Sequence, residues 1–275
     1  MARFVIVPQW QGSPSPRAMQ LIDGAQAIAG DLPRTSCTIV EIPYEAGEAV
    51  ETGIHRFSAL ARVRALAAEA LAQHDHGDDV VLIGGDCGIA VPGVERAAGH
   101  HEKLAVVWFD AHPDLHTPAT SESGAFSGMA LRAVLGGVPT PLGLEPGTVL
   151  AERVVLVGAR DYDPAEEEAV AAVGISVQDV DAVADADTFA DAVAATGADA
   201  VYIHVALDVL DPADLAGLTA PVPFGVSGAE LVVAIAALRA RMTYAGGSIT
   251  GFAPATPASA VDDLGTILRI VGALA

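Results

Sequence analysis

The stretch Trp108-Phe109-Asp110-Ala111-His112-Pro113-Asp114 places three possible metal ligands directly after the apolar run Leu104–Phe109. Side chains alternate between faces along a strand, so Asp110 and His112 point the same way. Asp114, just past Pro113, can turn back from the loop toward the same point. Two carboxylates and a neutral imidazole suit a divalent ion such as manganese or zinc, which accepts both kinds of ligand. A second apolar run, from Tyr202 to Pro212, also ends in acids, and on it His204, Ala206 and Asp208 share one face. His204 lies deeper along that strand and reads as a core histidine. A third run, Val80–Ile83, leads into Gly84-Gly85-Asp86-Cys87-Gly88, a tight turn whose glycines allow close backbone approach.

These runs must be strands of one sheet if their ends are to meet. Further apolar runs at Phe4–Val7, Cys37–Ile42, Val154–Val157, Gly174–Val177 and Ser248–Phe252 alternate with helical stretches at Pro16–Ala29, Arg56–His74, Ala165–Val173, Asp187–Ala195, Gly228–Arg241 and Ala260–Leu274. Continuous apolar strands between helices predict an α/β fold of three layers, α/β/α, with a mostly parallel central sheet covered on both faces. In such a sheet ligands bind outside the carboxyl ends of the strands, which is where the acids fall. With 275 residues and 52% hydrophobic content the chain can bury one large core. No Pro/Gly-rich linker divides it, so a single domain over residues 1–275 is expected.

A net charge of −21 opposes binding to nucleic-acid phosphates and to anionic membrane surfaces. The two cysteines, Cys37 and Cys87, make no disulfide framework. The apolar run before Pro8 is too short for a signal peptide or a membrane span, so a cytoplasmic location is expected.

Taken in order, the motifs resemble the ureohydrolase family, which comprises the arginases, agmatinases, formimidoylglutamases and related manganese amidinohydrolases. The family pattern runs GGDH, DAHxD, SGNxHGMP and SxDxDxxDP. Gly84-Gly85-Asp86-Cys87, Asp110-Ala111-His112-Pro113-Asp114, Ser123 to Met129 and His204 to Pro212 follow it here, and Gly158 to Pro164 resembles the family's GxRDxDP segment. The resemblance covers nearly the whole chain and implies an arginase-like fold with the metal site at the C-terminal ends of the strands. It implies one or two manganese ions held by Cys87, Asp110, His112, Asp114 and Asp208, with Asp110 bridging. It also implies a guanidino substrate contacted through Ser123 and Asp163, and a homo-oligomer, a trimer or hexamer. An Asp, His, Asp set around one ion is likewise the arrangement of the single-zinc histone deacetylases, whose own histidine pair has no counterpart here.

Departures from the pattern fall on positions that perform chemistry. Cys87 replaces a histidine ligand, Ala206 a second bridging aspartate, Ser127 a proton-shuttling histidine and Gly251 a glutamate that pairs with the guanidinium. Two dications about 3.5 Å apart repel by about 19 kcal/mol at an effective dielectric of about 20, so bridging anions matter. A thiolate at Cys87 restores the anion count without restoring the bridge. His116, two residues past Asp114, and Asp86 remain as groups that could handle protons. Two readings follow: a divergent amidinohydrolase releasing urea, or a catalytically degenerate relative that keeps a partial metal site for ligand binding or assembly.

Overall fold

The computed structural model of the chain describes residues 2–74 and 77–275. It runs through β1 (Arg3–Ile6), α1 (Gln20–Gly30), β2 (Cys37–Ile39), α2 (Phe57–Leu71), β3 (Val80–Ile83), α3 (Ala90–Ala98), β4 (Leu104–Phe109) and α4 (Ala130–Val134). It continues through β5 (Val154–Val157), α5 (Pro164–Val173), β6 (Ser176–Gln178), α6 (Ala186–Ala194), β7 (Ala200–Ala206), α7 (Gly228–Arg241), β8 (Thr243–Thr250) and α8 (Ala260–Leu274). Among the described residues eight strands form one sheet in the order β2-β1-β3-β8-β7-β4-β5-β6. Every pairing is parallel, so the sheet is wholly rather than mostly parallel.

Burial on both faces explains why β3, β4 and β7 read as unbroken apolar runs. Alternate residues serve opposite layers. Val107, Phe109, Ile203 and Val205 pack with Ile28 of α1, Phe189 of α6, Ile235 of α7 and Ile270 of α8. Val106, Trp108 and Tyr202 face the other way, toward Val94 of α3 and Leu131 of α4. Val63 and Ala67 of α2 close that second layer over Val5 and Leu82.

The sequence pattern missed α3 and α4 and shortened β8. α3 contains Pro92 and Gly93, residues that weaken a helical pattern, but Pro92 lies in its first turn, where its missing N–H costs nothing. In β8, Gly246 and Gly247 weaken the strand signal, although both lie in a central strand between β3 and β7.

This order brings the carboxyl ends of β3, β8, β7 and β4 side by side. The turn after β3 holds Cys87 there, and it depends on Gly85. That residue has φ +74°, and a Cβ on it would come within 2.5 Å of the Gln9 carbonyl oxygen. A left-handed backbone alone costs a non-glycine residue about 1–2 kcal/mol. With the clash added, Gly85→Ala is expected to lower stability by about 2–4 kcal/mol in chemical denaturation. An unchanged denaturation midpoint would show that the turn is not so constrained.

Candidate metal centre

Asp110 and His112 follow β4 directly, and Asp208 sits in the short turn after β7. The His112 Nδ1 lies 3.1 Å from Asp208 Oδ2 and 3.4 Å from Asp110 Oδ1, while its Nε2 is 3.6 Å from Asp161 Oδ2. Burial opposes charge on this ring, but hydrogen bonds and charges from Asp110 and Asp208 prevail and push it up to about 12. The His112 ring thus stands between two carboxylates that favour positive charge at that spot. Asp110 is raised to about 6, first by burial and then by the charge of Asp208. Asp208 moves the other way: burial raises it, but its hydrogen bond and charge interaction with His112 leave it below the usual carboxylate range. Its backbone is pinned by Arg160, whose guanidinium donates to the Asp208 carbonyl at 2.9 Å.

The two oxygens of Asp110 face different partners. Oδ1 accepts the His112 backbone N–H at 2.8 Å, whereas Oδ2 lies 3.6 Å from Cys87 Sγ. Cys87 Sγ is also 3.6 Å from Thr250 Oγ1. Burial, then the charges of Asp114, Asp110 and Asp208, push this thiol well above its ordinary range. Asp114 is likewise raised well above its range, by burial and then by Asp110. It adopts φ +54°, and its buried Oδ2 has no hydrogen-bond partner among the described residues. Unpaired buried carboxylate oxygen costs free energy unless something positive meets it.

These observations fit a bound divalent cation. Ligand atoms of Asp110, His112 and Asp208 lie within 4.8 Å of one another. They form the floor of a cavity of about 390 Å³ that Cys87 and Asp114 also line.

His116 stands on the cavity wall, with Nε2 3.1 Å from Asp163 Oδ2 and 3.9 Å from Glu166 Oε1. Asp163 itself caps α5 by accepting the Glu166 N–H at 2.9 Å, so it reaches the cavity through His116. Ser123 and Ser127 line the cavity. Asp86 lines it too, but its oxygens accept from Gln9 Nε2 at 2.8 Å, Gly12 N at 2.9 Å and Gly88 N at 3.0 Å. Burial lifts it to about 6 against those bonds. Its visible task is to tie the β3 turn to the segment after β1.

Glu166 escaped the sequence reading, and the contacts of Arg160 and His204 were not foreseen. Glu166 follows Asp163 at the spacing of a cap and its third helical residue, a signal for its position but not for its contact with His116. Arg160 carried no signal beyond its place in the GxRDxDP resemblance. His204 is fully buried, as expected of a core histidine, yet one of its ring nitrogens lies within 4.8 Å of ligand atoms of Cys87 and Asp110. Its alternation with Ala206 and Asp208 was the available clue.

A sequence profile described as the arginase family matches residues 18–264. The arginase of Brevibacillus brevis is 38% identical over 158 residues, 54% of this chain and 53% of that protein. The chain therefore matches about half the length of that curated relative. Among solved structures, the Entamoeba histolytica arginase in complex with L-ornithine superposes with a TM-score of 0.85 at 20% identity, covering 100% of this chain and 99% of that one. The Bacillus caldovelox arginase superposes with a TM-score of 0.81 at 26% identity over 99% of each chain.

Asp86→Asn separates a structural tie from a proton carrier. An amide group in place of one carboxylate oxygen turns an acceptor toward a donor, and each buried donor left unsatisfied costs about 1–3 kcal/mol. The variant is expected to melt several degrees lower in chelator-treated protein. Equal melting temperatures would remove the structural assignment.

Proposed function

We propose that this chain, which belongs to the arginase family, is a divergent metal-dependent amidinohydrolase that cleaves a guanidino-type C–N bond and releases urea. The observation that carries this reading is the buried Asp110, His112 and Asp208 cluster on the floor of a cavity large enough for a small molecule. Among the described residues lining that cavity there is no lysine or arginine, so its field favours a cationic substrate. Carboxylate oxygens predominate in the cluster, which suits manganese. When bound, such an ion supplies an activated water nucleophile and offsets negative charge that develops on the substrate.

The remaining work falls to this chain's own groups. Asp110, His112 and Asp208 hold the first ion, and Cys87 and Asp114 flank the place of a second. His116, steadied by Asp163 and Glu166, is positioned on the wall to give a proton to a departing amine. Ser123 and, through His116, Asp163 face the polar end of the substrate. By resemblance the protein acts as a cytoplasmic trimer or hexamer. No helix among the described residues is long and apolar enough to cross a membrane.

A second reading has its own support. Ala206, Ser127 and Gly251 all line the cavity and bring no titrating or charged group to it. A degenerate member would then keep the cavity for ligand binding or for assembly. Metal content and urea release on a panel of guanidino compounds decide between the two. The expected outcome is one tightly held manganese per chain and measurable urea from at least one compound. Ala206→Asp is expected to let a second manganese bind and to raise urea release at least ~10-fold, since it adds a hard carboxylate oxygen beside the first ion. No urea from either protein, with or without manganese, would sustain the degenerate reading instead.

A further inference from the structure

The Ala206 position is short of a ligand, but the residue two places earlier on the same strand face is not. His204 is fully buried, and its Nδ1 is 2.8 Å from Ser248 Oγ, itself buried in β8. The ring lies against Trp108, with centroids 3.8 Å apart and planes tilted by 33°, which fixes its orientation. Its Nε2 has no hydrogen-bond partner among the described residues. With Nδ1–H donating to Ser248, the lone pair of Nε2 is left free, the tautomer in which histidine ligates metals. An unpaired polar atom buried this deeply is costly, so a partner is wanted at that spot.

Cys87 and Asp110 lie near one of the two ring nitrogens, and with Nδ1 engaged by Ser248 the one free to ligate is Nε2. Ligand atoms of Cys87, Asp110 and His204 all lie within 4.8 Å of one another. In a tetrahedral zinc site with Zn–S of about 2.3 Å and Zn–O of about 2.0 Å, sulfur and oxygen stand about 3.5 Å apart. Cys87 Sγ and Asp110 Oδ2 are 3.6 Å apart, the edge of such a tetrahedron. That Asp110 oxygen is the one turned away from His112. Asp114, whose buried Oδ2 is also unpartnered, lines the same cavity and is available as a fourth donor.

We infer that Cys87, Asp110 and His204 form a second metal site of thiolate, carboxylate and imidazole, which selects a zinc-class ion over manganese. Thiolate and imidazole together favour borderline and soft cations, whereas the Asp110, His112 and Asp208 cluster is richer in hard oxygen. The protein would then hold two unlike ions joined by Asp110. Loading the site forms a bond from Sγ to the metal and releases the thiol proton to solvent. The site needs no catalytic turnover, so it stands even if the chain hydrolyses nothing.

Cobalt reports on it directly. Chelator-treated full-length protein under reductant is titrated with cobalt(II) while the near-ultraviolet thiolate-to-cobalt band is followed. The band is expected in the unmodified chain and in Cys37→Ser, and is expected to vanish in Cys87→Ser. Zinc should displace it, and manganese in large excess should not. His204→Asn should lower cobalt affinity beyond the ~10–100-fold typical of losing a group that merely supports a ligand. Absence of the band, its survival in Cys87→Ser, displacement by manganese, or a folded His204→Asn with unchanged affinity and spectrum would each overturn the assignment. If circular dichroism shows that His204→Asn does not fold, zinc-edge X-ray absorption on His112→Ala decides. One sulfur with an imidazole supports the site, and sulfur without imidazole refutes it.

Discussion

Burial of the Asp110 carboxylate is the constraint on which the rest of this molecule turns. With the residue 1% exposed, its charge has to be met from within the protein. It is met on two sides, by His112 through one oxygen and by the Cys87 neighbourhood through the other. The parallel sheet makes this possible because four adjacent strands end together there. Cys87 after β3, Thr250 at the end of β8, Asp208 after β7 and Asp110 after β4 come together around that volume. Arg160 then holds the Asp208 turn by its carbonyls rather than by its carboxylate, leaving that carboxylate available.

Across the cavity, His116, Asp163 and Glu166 form a separate charge group. His116 is 14% exposed at its side chain and lies between two acids that come from the start of α5. The metal floor and this wall answer to different elements, one to the strand ends and one to a helix cap. Changes on the floor therefore need not disturb the wall. That separation explains how Ala206 and Cys87 can depart from the family pattern while His116 keeps well-formed contacts.

Legibility followed the physics of each signal. That Asp110 and His112 come together was readable from the acids set directly after an apolar strand, although both lie in the turn past the end of β4 rather than on alternating strand positions. A mostly parallel sheet was readable from doubly buried runs such as Val80–Ile83, though not that every pairing is parallel. By contrast α3 hid behind Pro92 and Gly93, since sequence does not say whether a proline falls in the first turn of a helix or in its middle. His204 was placed correctly as buried, but its neighbourhood was not readable. One polar residue in an apolar strand looks alike whether it meets a serine alone or a serine and a thiol. Only the tertiary approach of the β3 turn to β7 tells these apart, and no local period encodes it.

Gly251 ties two of the departures from the family pattern together in space. A Cβ there would meet nothing closer than the Leu207 nitrogen at 3.5 Å, so space does not demand glycine. The backbone does, because φ is +91°, a conformation costly to any other residue. The Gly251 N–H also donates to the Gly85 carbonyl at 2.9 Å, which links the end of β8 to the turn that carries Cys87. The position where the family has a guanidinium-pairing glutamate and the position where it has a ligand histidine thus belong to two hydrogen-bonded turns. With glycine in this backbone, position 251 lines the cavity without bringing an acid to it. The acids that reach the cavity are those of the wall, such as Glu166, and of the floor around Asp110.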